Sequence, residues 1–302
     1  MTNELVSVII PTYKRPEYLL AAVRSVMAQT YEKIEIIVVD DNGEGTSDQL
    51  ITAEVINNID DKRLIYHVQK KNMGVCVARN TGISISKGKY VAFLDNDDLF
   101  LPQKIEKQVE FFSMSDESLA GCGTWYKRFY ENGTEFECRP QNVNDVFASI
   151  IKLEELYATG STALIKRSAL DEIGYFDASY VQLEDPELIM RLALRYNFGV
   201  VEENLTLIRI HDNYTQDEAR YSETWLLKLL DQYKAEIMKM SGSDIRIVYF
   251  NHYYTLSKEY LKERNFSKAF SYFVLCKAPV KYITNIIKDG WVYKKKLTKI
   301  SR

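Results

Sequence analysis

Three carboxylates fall within the four residues from Asp95 to Asp98, directly after the apolar run 90–94. Like charges held this close repel one another unless a cation neutralises them, and carboxylate oxygens are ligands that Mg2+ and Mn2+ prefer. The alternative is a solvated turn that caps the next helix, a role that Asp98 fits best of the three. The segment therefore indicates a divalent-cation site with positions left open for phosphate oxygens.

Asp40 and Asp41 follow a second apolar run, at 36–39. A carboxylate placed there could accept a hydrogen bond from a base N–H or a ribose hydroxyl of a nucleotide. Asp-Asp-Asn-Gly is also good turn chemistry, so these residues by themselves favour a turn.

The segment from Asn72 to Asn80 contains Gly74 and places Arg79 one turn into a predicted helix. The forked guanidinium of Arg79 suits phosphate, or the carboxylates around Asp95. An ordinary surface arginine is the alternative.

Glu184 and Asp185 precede Pro186, a residue that favours the first turn of a helix. Asp185 could cap that helix, whose dipole favours the ionised carboxylate. An ionised, partly shielded carboxylate that faces a cleft is also what a general base for a hydroxyl requires.

Two further side chains are candidates on weaker grounds. His211 follows the strand-like run 205–210 and could complete a metal site beside Asp97, although a single histidine is more often structural. Trp125 lies in the aromatic run 121–130 and could stack on the ring of a ligand, or belong to the core.

The elements that must position these residues alternate along the first hundred positions. β-branched runs predict strands, and apolar residues at helical spacing predict helices beginning near Pro16 and near Val75. The predicted strands are 6–10, 36–39, 64–68 and 90–94. This alternation indicates an α/β fold with a mostly parallel sheet, whose ligands lie at the carboxyl ends of the strands. We therefore expect the polar segments to converge there.

Further strands are predicted at 121–130 and 162–166, with a hairpin turn at Asn132-Gly133, and Pro186 opens a helix. From Glu223 onward the chain is predicted to be all helical. Its last segment, 277–302, carries eight basic side chains and one acidic side chain, a net charge of +7. Since the whole chain has a net charge of -3, residues 1–276 carry a net charge of -10.

Composition narrows the class of protein. With 302 residues, 46% of them apolar and 27% charged, the chain suits a globular protein of more than one subdomain. Its four cysteines form no C-x-x-C pair, so they indicate no zinc site. Its N-terminus lacks a signal-peptide pattern. No window of about 18 residues is apolar throughout, as a membrane-spanning helix would require. We therefore expect a cytoplasmic protein with reduced thiols, and no nucleic-acid partner because the body is acidic.

No dinucleotide fingerprint and no phosphate loop occurs. Six other segments are present, and their order and spacing resemble those of family 2 glycosyltransferases over residues 5–212. These segments are 6–13, 39–41, 72–80, 95–98, 174–177 and 184–185. The resemblance implies the GT-A fold, a Rossmann-like, mostly parallel sheet flanked by helices, here with a helical C-terminal extension. It implies a nucleotide-sugar-binding half at 1–98, an acceptor-binding half at 99–215 and a helical region with a basic tail at 216–302.

The same resemblance implies inverting transfer from a nucleotide-diphosphate sugar, with Mn2+ or Mg2+ as cofactor. By position, Asp41 would contact the base and Asp95 the ribose. Asp97 would bind the metal, His211 would match a less uniform Arg-x-His element, and Asp185 would be the general base. The other expected donor-side positions are Pro11, Thr12, Tyr13, Asn72, Gly74, Arg79 and Asn96, and the acceptor side has Glu184 and Trp125. Pro186 stands where the family often has an aromatic residue.

The expected function is thus an inverting, metal-dependent hexosyl transfer, with a UDP-linked donor and a glycan or lipid-linked acceptor, as in bacterial surface polysaccharide synthesis. A sugar nucleotidyltransferase is an alternative, but it should show a glycine-rich basic loop where Pro11-Thr12-Tyr13 stand. A binding module that has lost turnover is another. The basic tail, with its interleaved Tyr, Trp and Ile residues, suits peripheral contact with an anionic inner membrane face. Packing on the helical region, or a contact in a homo-oligomer, is the alternative for the tail.

Overall fold

The computed structural model describes residues 4–140, 144–154, 160–211 and 218–276. The chain divides into two compact units, one formed by Met1–Phe147 with Glu155–Asp212 and the other by Ala148–Glu154 with Asn213–Arg302. The further division of the first unit at residue 98 stays a prediction.

Within its described residues, the first unit is built on one sheet of nine strands. In chain order they are β1 Val6–Thr12, β2 Ile34–Asp40, β3 Leu64–Val68, β4 Tyr90–Phe93, β5 Leu99–Phe100, β6 Leu119–Phe129, β7 Glu135–Cys138, β8 Leu164–Lys166 and β9 Asn197–Arg209. Their order across the sheet is β3-β2-β1-β4-β8-β6-β9-β5, with β7 paired to β6. The β3-β2-β1-β4 half is parallel, as is the β6 and β9 pair, whereas β8 pairs antiparallel with both β4 and β6.

Helices flank this sheet. Those of the first unit are α1 Pro16–Met27, α2 Ser47–Asn57, α3 Val75–Ile85, α4 Lys104–Ser113, α6 Arg167–Ile173 and α7 Glu184–Ala193, and a short 3-10 turn covers Gly160–Thr162. The helix α5, Val146–Ile151, spans the boundary between the two units.

The parallel half forms because β1 and β2 are apolar on both faces and every residue in them is buried. Helix α3 packs closely on this half at Gly82, where a Cβ atom would lie 2.3 Å from the side chain of Ile9. This close approach requires glycine at position 82. The carboxyl ends of β1, β2 and β4 consequently lie side by side, as the sequence predicted.

The predictions of β1 to β4, α1 and α3 are confirmed, and so is the hairpin turn at Asn132-Gly133 between β6 and β7. Three elements were not predicted from the sequence. They are α2, which begins after a Thr46 cap, the two-residue strand β5, and α6.

The part of the second unit that the structure describes is helical, as predicted. Its helices are α8 Glu218–Gln232, α9 Lys234–Ile237, α10 Gly242–Lys262 and α11 Phe266–Leu275. Glu223 links three of them, since it accepts hydrogen bonds from the Tyr260 hydroxyl at 2.5 Å and from Lys268 Nζ at 2.8 Å. None of the helices that the structure describes is long and apolar enough to cross a membrane.

Candidate active site

Arg79 on α3 is a buried cation that joins three carboxylates from distant parts of the chain. Its Nη2 lies 2.8 Å from Asp95 Oδ1, and its Nη1 lies 3.0 Å from Glu184 Oε1 and 3.1 Å from Asp185 Oδ1. Only 2% of the side chain is exposed, and the ring of Phe176 lies 5.1 Å from the guanidinium carbon. Arg79 is therefore not a surface arginine, and of its predicted partners the carboxylates are the ones it contacts.

The two acidic residues reach Arg79 because the start of α7 is tied down. Arg191, near the end of α7, donates to the Tyr175 carbonyl at 2.6 Å and to the Ile173 carbonyl at 3.1 Å. Asn80 on α3 exchanges two hydrogen bonds of 2.9 Å with the backbone of Phe176. The segment before α7 is thus fixed to α3 on one side and to α7 on the other.

Asp185 is not a helix cap. The residue before the first turn of α7 is Leu183, which has a φ of 62° and makes no side-chain capping bond. Glu184 and Asp185 instead lie in the first turn, where the helix dipole favours a negative charge. Since the capping alternative is wrong, the carboxylate of Asp185 needs another explanation.

Burial raises the pKa of Asp185 to about 7, the nearby charges of Glu184 and Asp95 add to the rise, and Arg79 opposes it. A carboxyl group with this pKa is partly ionised at neutral pH and can accept a proton from a hydroxyl. Gly160 keeps space beside it, because a Cβ atom there would lie 3.1 Å from Asp185 Oδ2 and 3.8 Å from Asp95 Oδ2. A carboxyl group of this kind has the properties that a general base requires, and the assignment of that role to Asp185 stays a prediction.

Asp98 lies inside the protein and is not the solvated helix cap that the sequence offered as its alternative role. It is 4% exposed, accepts from Ser161 Oγ at 2.6 Å and accepts from the backbone N–H of Arg209 at 2.9 Å. Burial raises its pKa well above the usual range, and the charge of Asp95 adds to this. The role of Asp98 is to join the end of β4 to β9.

Asp97 and His211 meet, as predicted for a metal pair. Asp97 Oδ2 lies 2.7 Å from His211 Nε2, and Arg15 Nη1 lies 2.7 Å from the same carboxylate oxygen and 3.2 Å from the same imidazole nitrogen. Arg15 is one of two consecutive residues, with Lys14, that have a positive φ, of 53° and 57°. This backbone conformation is costly for residues other than glycine and is often associated with function.

The Asp97 carboxylate oxygen and the His211 imidazole nitrogen converge, and both are atoms that a divalent cation accepts as ligands, but the Arg15 guanidinium lies against both atoms and a cation would have to displace it. Among the residues that the structure describes, no group of three or more His, Cys, Asp or Glu side chains is arranged to hold a metal ion. A cation here would therefore take its remaining ligands from diphosphate oxygens and water, as Mg2+ usually does.

The end of β1 contributes to the same region. Asn96 Nδ2 donates to Thr12 Oγ1 at 3.0 Å and to the Lys14 carbonyl at 3.3 Å, and the Lys14 N–H donates to Asn42 Oδ1 at 2.7 Å. Pro11 and Thr12 are buried, whereas 47% of Tyr13 is exposed. Of the three predicted donor-side residues 11–13, Tyr13 is thus the exposed one, and Lys14 Nζ lies 5.1 Å from the centre of its ring.

Asp41 fixes the loop that precedes α3. Its Oδ1 accepts from the Met73 N–H and its Oδ2 from the Gly74 N–H, both at 2.8 Å, and burial raises its pKa. Asn72 and Gly74 are exposed. The predicted contacts of Asp41, Asn72 and Gly74 with a nucleotide-sugar donor stay predictions. The hydrogen bonds of Asp41 do hold the loop that contains Asn72 and Gly74.

Trp125 has different neighbours. Its Nε1 donates to the Pro140 carbonyl at 3.2 Å, and the guanidinium of Arg139 lies 5.3 Å from the centre of its ring. None of these contacts is with the carboxylates around Arg79. The structure therefore does not bring Trp125 to the candidate base, and its acceptor role stays a prediction.

Two residues of the site, Arg15 and Ser161, were missed as functional residues. Arg15 belongs to the polar segment after β1, so its position was a usable signal. Ser161 stands in the turn after Gly160, and nothing in its local sequence indicates a bond to Asp98 across 63 positions.

A family model described as Glycosyl transferase family 2 matches residues 7–174. The UDP-Glc:alpha-D-GlcNAc-diphosphoundecaprenol beta-1,3-glucosyltransferase WfaP of Escherichia coli is 30% identical over 212 residues, which cover 69% of this chain and 78% of that protein. An uncharacterized glycosyltransferase of Rickettsia conorii is 31% identical over 226 residues, which cover 74% of this chain. The chain spans only 36% of the length of the latter relative.

Among solved structures, the mannosyltransferase PcManGT from Pyrobaculum calidifontis, in complex with GDP-Man and Mn2+, superposes with a TM-score of 0.60. The two are 15% identical, over 97% of this chain and 81% of that chain. This likeness concerns the fold, and together with the α/β sheet it defines a GT-A fold. The match over more than half of the chain identifies the family: the protein belongs to glycosyl transferase family 2. The predictions of fold and family are confirmed.

Proposed function

We propose that the protein is an inverting, metal-dependent glycosyltransferase that moves a hexosyl group from a nucleotide-diphosphate sugar to a hydroxyl group. The proposal rests mainly on the contacts of the segment 95–98. Asp95 in this segment binds Arg79, which also binds the candidate base Asp185. Asp97 in the same segment binds His211. A single short segment thus links a candidate general base to a candidate cation site.

In this proposal Asp185 accepts the proton of the attacking hydroxyl. Arg79 keeps the carboxylate in place and favours its ionised form, which burial alone would suppress. A divalent cation bound at Asp97 and His211 would supply Lewis-acid stabilisation of the leaving diphosphate. No carboxylate has to attack the sugar, so a single displacement with inversion follows.

The donor and acceptor are proposed from the named relative. WfaP is by name a UDP-Glc transferase with a diphosphoundecaprenol-linked acceptor. We infer a UDP-linked donor and a glycan or lipid-linked acceptor in polysaccharide synthesis at the inner face of the cell membrane. The basic tail 277–302 lies outside the described residues, and its contact with an anionic membrane is proposed from its sequence alone.

The test compares Asp185→Asn with Glu184→Gln. Each substitution removes one carboxylate charge beside the same Nη1 atom of Arg79, so the two variants are matched in electrostatics. Loss of a general base lowers transfer by roughly 10²- to 10⁴-fold. We expect that loss for Asp185→Asn with donor affinity nearly unchanged, and a loss below about tenfold for Glu184→Gln.

Transfer and donor binding are measured with nucleotide sugars in the presence of Mn2+ or Mg2+. If Asp185→Asn retains transfer within a few-fold while Glu184→Gln loses it, the base is Glu184 instead. If the wild-type protein binds a donor but never turns it over with any acceptor or water, the protein is a binding module. Release of pyrophosphate from a nucleoside triphosphate and a sugar phosphate would favour a nucleotidyltransferase.

A further inference from the structure

Two polar side chains of α4 lie entirely inside the first unit. Lys104 and Gln108 are both 0% exposed. Lys104 Nζ donates a hydrogen bond to Gln108 Oε1 at 2.7 Å and lies 4.1 Å from the centre of the Phe100 ring. Burial lowers the pKa of Lys104 to about 7, since no carboxylate among the described residues pairs with its amine. Burying such groups is costly unless each is hydrogen-bonded, so the pair calls for an explanation.

The amide group of Gln108 is used completely. Its oxygen accepts from Lys104, and its nitrogen donates to the Cys122 carbonyl at 2.9 Å and to the Thr162 carbonyl at 3.0 Å. An ammonium group has only hydrogens to donate, so Lys104 fixes the amide oxygen on its own side. Both amide hydrogens are consequently directed at the two carbonyls. Gln108 thus joins α4 to β6 and to the 3-10 turn Gly160–Thr162.

That turn lies against the carboxylates of the candidate site. Ser161 Oγ accepts a hydrogen bond from the backbone N–H of Asp95 at 3.1 Å. At Gly160 a Cβ atom would lie 3.1 Å from Asp185 Oδ2. The turn therefore connects Gln108 to the surroundings of the candidate base, and a displacement of the turn would change the space beside Asp185.

We propose that Gln108, oriented by Lys104, is a positioning residue that holds the Gly160–Thr162 turn against Asp185. The inference rests on the proposed role of Asp185 as general base, because it names what fixes the space in which the acceptor hydroxyl meets that base. A displaced turn would misplace the hydroxyl and admit water beside the carboxylate. Misplacement by about 1 Å can lower a rate by about 10²-fold.

Gln29 on α1 provides a matched comparison. It is also buried, and its amide group also makes three hydrogen bonds, to the carbonyls of Leu101 and Ser25 and from the backbone N–H of Ile105. These bonds join α1 to the segment that begins α4, and they involve neither the turn nor the carboxylates. A role of Gln108 in stability alone would therefore be shared by Gln29, whereas a positioning role would not.

The test measures sugar transfer by Gln108→Leu, Gln108→Glu and Gln29→Leu at saturating donor. Gln108→Glu keeps an oxygen for Lys104 but, once ionised, has no hydrogen to donate to the turn. We expect both Gln108 variants to lose transfer at least about tenfold, with donor affinity within a few-fold of wild type. Gln29→Leu should lower the unfolding temperature about as much as Gln108→Leu, yet keep transfer within a few-fold of wild type.

The pH profile of transfer gives a readout that a purely structural role would not change. Burial is the largest cause of the raised pKa of Asp185, with Arg79 opposing the rise and two neighbouring carboxylates, Glu184 and Asp95, adding to it. Water admitted by a displaced turn would weaken the effect of burial. The midpoint of the acidic limb should therefore fall below about pH 7 in Gln108→Leu and should not move in the control variant.

Amide hydrogen exchange tests the hold on the turn without any sugar transfer. Exchange in residues 160–164 should be faster in Gln108→Leu than in wild type and unchanged in Gln29→Leu. Equal losses of transfer in Gln108→Leu and Gln29→Leu, or unchanged exchange in Gln108→Leu, would overturn the proposal. If the wild type transfers no sugar, the proposed reaction fails and the positioning of a base with it, whereas the exchange comparison still shows whether Gln108 holds the turn.

Discussion

Replacing Arg79 by methionine should move the acidic limb of the pH profile of sugar transfer upward. Asp185 must be ionised to act as a base, and its pKa of about 7 already includes the opposing effect of the Arg79 charge 3.1 Å away. A charge pair near 4 Å at an effective dielectric constant of about 20 is worth about 4 kcal/mol, or about three pKa units. Water that enters the space left by the guanidinium reduces the electrostatic effect of the substitution. We therefore expect the pKa of Asp185 to rise by about one to three units.

The assay is the initial rate of transfer between about pH 5 and pH 9 at saturating donor, with the fold checked by circular dichroism. The wild-type rate should rise through about pH 7 and then level, whereas the Arg79→Met rate should reach its midpoint at about pH 8 or higher. Arg167→Met is the matched control, because Arg167 is also partly buried and donates to the carbonyls of Gly88 and Ser86, away from the carboxylate cluster. An unchanged profile in a folded Arg79→Met protein would refute the electrostatic argument.

The same substitution should make stability more dependent on pH. Folding raises the pKa of Asp185 above its value of about 3.8, so the folded state binds that proton more tightly than the unfolded state. The contribution of this group to stability is therefore present below about pH 4 and is lost as the pH rises toward about 7. In Arg79→Met this window should extend to higher pH, which denaturant titrations at several pH values would show.

Three other substitutions have defined outcomes. Asp97→Ala should abolish the dependence of transfer on Mn2+ or Mg2+, because the leaving diphosphate loses several kcal/mol of stabilisation; a near-wild-type rate at every metal concentration would contradict the metal role. Gly160→Ala should lower transfer at least about tenfold, since its Cβ would lie 3.1 Å from Asp185 Oδ2 and its φ is 41°. Ser161→Ala should lower the free energy of unfolding by about 1–3 kcal/mol, because buried Asp98 loses a donor.

Two matched controls accompany these variants. Gly133→Ala also places alanine at a positive φ, of 84°, but its Cβ would meet nothing within 4 Å, so it measures backbone strain alone. Ser113→Ala removes an exposed hydroxyl that donates to the Glu110 carbonyl, so its cost should stay below about 1 kcal/mol. Equal effects of Gly160→Ala and Gly133→Ala on transfer would show that crowding at Asp185 does not matter.

The parallel half of the sheet and the polar residues at its edge could be predicted from the sequence alone. β-branched residues with no polar face predict buried strands, and β1 and β2 are buried throughout. Because parallel strands end at the same edge, the carboxylates after β2 and β4 had to lie near each other. The resemblance of six ordered segments then indicated the family, which the comparisons confirm.

The pairing of the charges could not be predicted from the sequence, because it depends on how the elements pack. Arg79 could meet phosphate, carboxylate or water, and its contact with Asp185 joins residues 106 positions apart. Asp97 and Asp98 are neighbours with the same side chain, yet one meets Arg15 and His211 near the surface while the other is buried against Ser161. The local periodicity of the sequence specifies which residues form a strand or a helix. Ion-pair partners this far apart in the chain are instead determined by how those elements pack. Packing decides which charged groups are buried, and a buried charge must be neutralised by a partner.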